Sequence, residues 1–291
     1  MSRADRATVM LEEAEILAQE PFPGNQFILR VRAPRAAQVA IPGSFAHLQC
    51  DPSVPLRRPL SIMRAEPTEG WLEFLYKPRG AGLTTLSARP CGATLSVLAP
   101  VGRGFSFSIR RPRLLALGGG VGIPPMIFLA EHARREPSLK PLVLMGSEVP
   151  FPFSVGASRL DVPGMPDDAT HAVELLESWG VPSRLASNAG YAGCHRGFIT
   201  DLARRHLAAL SAKARAETAV FACGPTPMLE ATARLAREFD LPCQLALEEF
   251  MACGIGGCAG CNVLLHTPDG PAMKRVCVDG PVFDAREVYP D

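Results

Sequence analysis

Very little net charge separates the basic from the acidic side chains: 30 Lys and Arg stand against 29 Asp and Glu, leaving +1 at pH 7. That balance offers no field for nucleic acid or an anionic membrane, and neither is expected as a partner. The opening stretch, MSRADRATVMLEEAEILAQE, lacks the apolar core of a secretory leader. Long hydrophobic runs are missing too. The longest uncharged stretch, Leu114 to Ala130, is broken by glycines and prolines and falls short of a membrane span. Repeats and low-complexity tracts are absent, as is any convincing catalytic triad or carboxylate pair. His47, His132, His171, His195, His206 and His266 are scattered and read as structural or exposed. The 9 cysteines are an odd number, and Cys50, Cys91, Cys194, Cys223 and Cys243 lie far apart. That usage suits a reducing, cytoplasmic setting rather than a disulfide framework.

What is present is a chain of 291 residues with 47% hydrophobic content, enough for two domains and a small extra module. The remaining four cysteines gather in EEFMACGIGGCAGCNVLLHTPDGPAMKRVC. Cys253, Cys258, Cys261 and Cys277 are separated by gaps of four, two and fifteen residues. C-x4-C-x2-C with a distant fourth Cys is the plant-type [2Fe–2S] ligand spacing. Three thiolates from one loop require the backbone to wrap a centre, and Gly254, Gly256, Gly257 and Gly260 supply the freedom to do so. Their amides are placed to face a negatively charged cluster. A structural zinc and four inert buried cysteines are the competing readings. Zinc ribbons pair two short knuckles rather than three ligands in one loop and a lone fourth.

Up to about residue 110 the chain alternates short strands with turns such as PFPG, IPG and PTEG, a pattern for a small antiparallel barrel. Phe27, Leu29 and Val31 alternate with their neighbours, as do Leu72, Phe74 and Tyr76. Within this part RRPLSI, Arg57 to Ile62, places a basic pair ahead of a hydroxyl. It reads either as a phosphate and heterocycle contact or as an exposed edge strand ended by proline. YKPRGAGLTTL, Tyr76 to Leu86, reads as a phosphate-binding turn or a plain one.

From about Arg111 the texture changes to alternating strands and helices, which implies a parallel sheet with ligands at the strands' C-terminal ends. Strand Leu114–Leu117 runs into GGGVGIPP and a helix over Met126–Arg135. Leu142–Met145 is a strand ending near Glu148, placed to accept a ribose hydroxyl. Ala172–Trp179 and Phe198–Leu210 are expected as helices. Thr218–Cys223 is a strand leading into CGPTPM and a helix over Met228–Phe239. Gln244–Leu247 is a last strand. Phe151–Met165 reads as a surface loop. The GGGVG turn departs from G-x-G-x-x-G, so a plain βα turn stays open, and Cys223 is also readable as a small buried hydrophobe.

The order RRPLSI, GAGLT, GGGVGIPP, CGPTPM resembles the ferredoxin–NADP reductase superfamily. The tail FMACGIGGCAGC…KRVCVDGPVF resembles the electron-transfer subunits of two-subunit dihydroorotate dehydrogenases, and the similarity spans nearly the whole chain. It implies an antiparallel FAD-binding β-barrel over 1–110, a parallel-sheet NAD-binding α/β domain over 111–242 and a [2Fe–2S] module over 243–291. It implies that Arg58, Pro59, Leu60 and Ser61 hold FAD, with Arg58 on a phosphate. Leu75, Tyr76 and Lys77 would line the ribityl and ring region, and Gly82, Leu83 and Thr84 would meet the pyrophosphate. Leu83 stands where the family usually has Thr. Gly119, Gly120 and Gly122, with Cys223, Gly224 and Pro225, would frame NAD. Phe283 would lie near flavin and cluster. The implied function is an electron relay from the FMN of a dihydroorotate dehydrogenase catalytic subunit, in a heterotetramer, through [2Fe–2S] and FAD to NAD+ in pyrimidine biosynthesis. A ferredoxin:NADP oxidoreductase subunit, a hydrogenase-type diaphorase subunit and a stand-alone NAD(P)H reductase are the rival implications.

Overall fold

A computed structural model describes residues 9–290; the start of the N-terminal stretch and the final residue of the expected C-terminal module lie outside the described residues. The alternating pattern of the first part becomes β1 (Met10–Phe22), β2 (Gln26–Arg32), β3 (Phe45–Gln49), β4 (Arg58–Glu66), β5 (Trp71–Tyr76) and β6 (Thr94–Val101). They close into a barrel of order β1-β2-β5-β4-β3-β6. Short helices α1 (Pro34–Val39) and α2 (Gly80–Ser87) interrupt the strands. Leu29, Val31, Leu48, Ile62, Leu72, Phe74 and Tyr76 fill the interior. Closure leaves no free edge, so β4 lies between β3 and β5 and the edge-strand reading of RRPLSI does not hold. The expected alternation in β5 is masked because both faces are covered: Leu75 packs into the neighbouring core while Leu72 and Phe74 face the barrel.

The second part builds β7 (Arg113–Gly119), α3 (Ile123–Ala133), β8 (Lys140–Gly146), β9 (Val155–Ala157), β10 (His171–Val173), α4 (Glu174–Ser178) and β11 (Ser183–Ala186). Then follow α5 (Ile199–Ala209), α6 (Ala212–Ala216), β12 (Thr218–Cys223), α7 (Thr226–Glu238) and β13 (Cys243–Ala246). The tail adds β14 (Asn262–Thr267), β15 (Gly270–Arg275), β16 (Val282–Asp284) and α8 (Ala285–Val288). The main sheet has order β11-β8-β7-β12-β13-β16. Its central strands are parallel and buried on both faces, which is why Leu114–Leu117 reads as an unbroken apolar run.

Three expectations are corrected here. The sheet is not wholly parallel, because β16, contributed by the cysteine-bearing tail, pairs antiparallel with β13. Ala172 and Val173 belong to a strand rather than a helix. They pair with β9, and the helix α4 begins only at Glu174. The stretch Phe151–Met165 carries β9 and buries Phe151 and Val162, so it is more than a surface loop. Among the described residues no helix is long and apolar enough to cross a membrane.

The barrel and the sheet share a packed seam. Met63, Leu75 and Phe105 of the first part contact Ile123, Met126 and Ile127 of α3, while Phe128 of the same helix enters the barrel core. Arg64 of β4 reaches Glu131 of α3 at 2.9 Å. The tail closes the arrangement from below the sheet edge. The β14–β15 hairpin and β16 bury Cys261, Leu265, Val276, Cys277 and Phe283 against Phe45 and Val101 of the barrel.

Candidate functional site

The loop between β13 and β14 brings the four cysteines together in two pairs. Cys261 and Cys277 are buried, with their sulfurs 3.3 Å apart. Cys253 and Cys258 form the outer pair, and the Cys258 amide donates to the Cys253 sulfur at 3.4 Å. Among the described residues no three His, Cys, Asp or Glu side chains close on the position of a single metal ion. Two pairs of thiols suit a two-iron centre, in which each iron takes two thiolates.

Backbone amides surround these sulfurs. The Gly260 amide donates to Cys258 at 3.4 Å. For Cys253, burial pushes the thiol up, but the amides of Ile255, Cys258 and Gly257 pull it down to about 7. Burial and the neighbouring Cys261 push Cys277 up to about 12, so its thiolate calls for a cation beside it. This donor set of thiols and converging amides fits an anionic iron–sulfur cluster. Of the four glycines, Gly254 and Gly256 use the left-handed region, at φ 68 and 81, and Ala259 rather than Gly257 or Gly260 supplies the third such turn, at φ 55. Arg275 braces the loop from outside, donating to the Gly256 carbonyl at 3.1 Å and pairing with Asp279.

Directly behind the loop runs β3. Its interior face, Ala46 and Leu48, belongs to the barrel core. Phe45, on the opposite face, packs with Cys261, Cys277 and Phe283. His47, two residues on, abuts Gly254: a Cβ on that glycine would lie 2.6 Å from the ring Nδ1. The cross-strand partners of Phe45 and His47 in β4 are Ser61 and Pro59. A single strand thus separates the cysteine loop from the RPLS segment.

On the RPLS side, Arg57 is engaged structurally, donating to the Ser96 carbonyl at 2.6 Å and the His47 carbonyl at 3.2 Å. Arg58 instead lies against Gly82 at the start of α2, where a Cβ would stand 3.0 Å from its Nε. Gly80, at φ 66, has open space on its side-chain face. An arginine beside free helical amides and open glycine backbone fits a dinucleotide phosphate. Leu60 is largely buried, and Pro59 and Ser61 are partly so. The Tyr76 side chain is buried in the barrel, stacks on Phe27 at 5.5 Å and donates to Gln19 Oε1 at 2.9 Å, leaving its backbone to line a ligand. Leu75 likewise faces the seam. Leu83 packs inward on the barrel core while Thr84 is exposed.

At the sheet's C-terminal ends the two glycine-rich turns meet. Cys223 is opposite Gly118 across β12–β7, and a Cβ on Gly122 would run into the Cys223 carbonyl. Gly119 packs on Met228 and Pro225, and Gly224 on Met228. Gly120, at φ 55, faces open space. Lys77 stands at the rim. Burial and Arg79 lower its pKa and the Glu148 carboxylate opposes them, so barrel and sheet present opposite charges across the cleft. Cys223 is fully enclosed, and burial raises its thiol pKa well above the ordinary value.

Two contributors escape a reading by motif. His47 is fully buried, and burial followed by the Arg57 charge lowers it to about 4. Glu248 lies two residues past the end of β13, beside Cys223. It is accessible on one side, yet enough protein surrounds it that desolvation raises its carboxyl pKa. The rule that ligands gather at strand C-termini would have found Glu248; nothing local to the sequence marks His47.

Comparison with known proteins agrees with this geometry. Residues 248–289 match the family model for the iron–sulfur cluster binding domain of dihydroorotate dehydrogenase B. The dihydroorotate dehydrogenase B (NAD(+)) electron transfer subunit of Caldanaerobacter subterraneus subsp. tengcongensis is 32% identical over 247 residues, 85% of this chain and 86% of that protein. The subunit of the same name from Geobacillus sp. (strain WCH70) is 31% identical, over 95% of this chain and 98% of that protein. Among solved structures, that of an NADH-dependent reduced ferredoxin-NADP oxidoreductase superposes with a TM-score of 0.76 at 25% identity, covering 96% of this chain and 90% of that one. Phthalate dioxygenase reductase shares the fold with a TM-score of 0.58 at 13% identity, over 91% of this chain and 76% of that one. Identity at this level across most of both chains means that the protein belongs to the family of dihydroorotate dehydrogenase B (NAD(+)) electron transfer subunits.

Proposed function

We propose that this chain relays electrons between a dihydroorotate-oxidising partner and NAD+ in pyrimidine biosynthesis. One observation carries the reading: paired thiols in an amide cradle lie one strand away from the RPLS segment. When bound, the [2Fe–2S] cluster supplies one-electron traffic, and FAD joins it to two-electron hydride exchange with NAD+.

The chain's own residues would hold these groups. Cys253, Cys258, Cys261 and Cys277 would ligate the irons, the outer and inner pairs each serving one metal. Arg58 and the amides of Gly82, Leu83 and Thr84 would take the flavin's phosphates, while Pro59 and Ser61 face its ring system and Leu60, whose side chain packs in the barrel core, borders it by its backbone. Leu75, Tyr76 and Lys77 would border it, Tyr76 by its backbone. Gly119, Gly120, Gly122, Cys223, Gly224 and Pro225 would form the floor under the nicotinamide nucleotide. Glu148 would favour NAD over NADP by repelling a 2′-phosphate. Phe283 would exclude water beside the inner thiol pair, where it is already packed.

The segments 1–110, 111–242 and 243–291 would serve flavin, nucleotide and cluster in turn, stitched together by β13 and β16. The partner would be an FMN-bearing catalytic subunit, assembled with this chain in a heterotetramer. Phe250, Ile255, Leu264 and Met273, exposed on the cysteine module, support a docking face there. All nine cysteines are free thiols, which supports a cytoplasmic setting.

The structural likeness to a reduced ferredoxin-NADP oxidoreductase favours one second reading, a ferredoxin-linked relay on the same scaffold. Anaerobic copurification from the native host separates the two. A bound dihydroorotate-oxidising flavoprotein, with iron, labile sulfide and flavin in the complex, supports the first; a ferredoxin-linked partner instead supports the second. Protein free of iron and sulfide would sink both.

A further inference from the structure

His47 has no assigned part in the relay, yet its setting is unusual. It is 0% exposed, and neither ring nitrogen has a hydrogen-bond partner. An orphaned polar group in the interior is costly and calls for a missing interaction. Its backbone is held on both sides, opposite Pro59 of β4 and Leu98 of β6, and Arg57 binds its carbonyl at 3.2 Å. The ring therefore projects from a rigid wall toward the cysteine loop. There it meets Gly254, whose left-handed φ of 68 and missing side chain allow the approach. The carbonyls of Arg57 and Cys253 face the ring without completing a hydrogen bond.

We infer that His47 is a positioning residue that ties the cysteine loop to the flavin-side strand, its ring N–H donating to the Cys253 carbonyl when the loop is loaded. The inference rests on the cluster assignment made above. The bond would anchor the outer thiol pair to β3, whose cross-strand neighbours in β4, Pro59 and Ser61, belong to the RPLS segment. A leucine of similar volume would fill the space but leave the loop untied. An asparagine, whose amide reaches roughly where Nδ1 does, would restore the tie.

The test uses the full chain, purified and loaded anaerobically, as wild type, His47→Leu and His47→Asn. Cluster loss to an iron chelator and the EPR line shape of the reduced centre are measured against flavin content. Losing one ordinary hydrogen bond makes His47→Leu shed its cluster roughly tenfold faster. Its EPR signal shifts as well, and His47→Asn returns both toward wild type. The inference is overturned if His47→Leu matches wild type in both readouts, or if His47→Asn behaves like His47→Leu. Should His47→Leu not fold, wild-type protein carrying 15N-histidine is examined by pulsed EPR. A nitrogen coupling from an adjacent imidazole supports the tie, and its absence overturns it. Wild type without iron overturns the cluster assignment itself; iron-replete wild type with indifferent variants overturns only the role of His47.

Discussion

Arg64 of the barrel and Glu131 of α3 meet at 2.9 Å across the seam between the barrel and the nucleotide sheet. Glu131 is only 3% exposed, its second oxygen has no partner, and Arg64 also lies 5.2 Å from Trp71 and 5.4 Å from Trp179. The pair therefore joins two parts that must stay aligned for a flavin and a nicotinamide to meet. Replacing Arg64 with Ala strands a buried carboxylate. Urea unfolding should show a loss of about 3–5 kcal/mol. A loss within about 0.5 kcal/mol, the range of an ordinary surface substitution, would mean that the seam does not depend on the pair.

Arg58→Ala removes the guanidinium set against Gly82 near the start of α2. A charge-assisted contact of about 1.5–3 kcal/mol disappears, so FAD affinity should fall roughly 10- to 150-fold, as read by flavin fluorescence on dilution. Arg57→Ala serves as contrast. Because Arg57 holds Ser96 and the His47 carbonyl, its loss should lower the melting temperature more than flavin affinity.

Cys258→Ser breaks the outer thiol pair. Iron and labile sulfide should drop to background while FAD stays bound, giving a yellow rather than brown protein. Full retention of the reduced-cluster EPR signal would remove Cys258 from the ligand set.

His206 provides a pH test away from the cofactors. Its ring donates to the Pro163 carbonyl at 2.9 Å, and burial followed by the Arg113 charge holds its pKa below the ordinary 6.5. A group depressed in the folded state takes up its proton more readily when unfolded. Its contribution to stability is therefore complete above about pH 6.5 and is lost as pH falls toward the folded value. His132 shifts in the same direction. Urea midpoints should fall between pH 7.5 and 5.5, and His206→Gln should flatten that slope. A slope unchanged by the substitution would place the titration elsewhere.

Much of this architecture is legible in the order of the residues. The cluster ligands are marked by three cysteines within nine residues, a local signal that chain connectivity itself brings together. The buried run Leu114–Leu117 and the strand Thr218–Cys223 are readable because hydrophobic patterning reports burial residue by residue. Ala172 and Val173 read wrongly as helix since so short a stretch shows no period, and only pairing with β9 makes them part of a strand. That the Tyr76 side chain turns into the barrel is not legible, because a position in a motif does not say which face of β5 it occupies.

Sequence alone determined which chemistry this protein carries: four thiols at iron–sulfur spacing, an Arg-Pro-Leu-Ser segment, and two glycine-rich turns. Tertiary structure alone decided how those parts face one another. Barrel closure sets Phe45 and His47 behind the cysteine loop, folds Gly82 onto Arg58, and brings Gly122 up to Cys223. These contacts join residues far apart in the chain. They follow from strand order and packing, which no window of neighbouring residues contains.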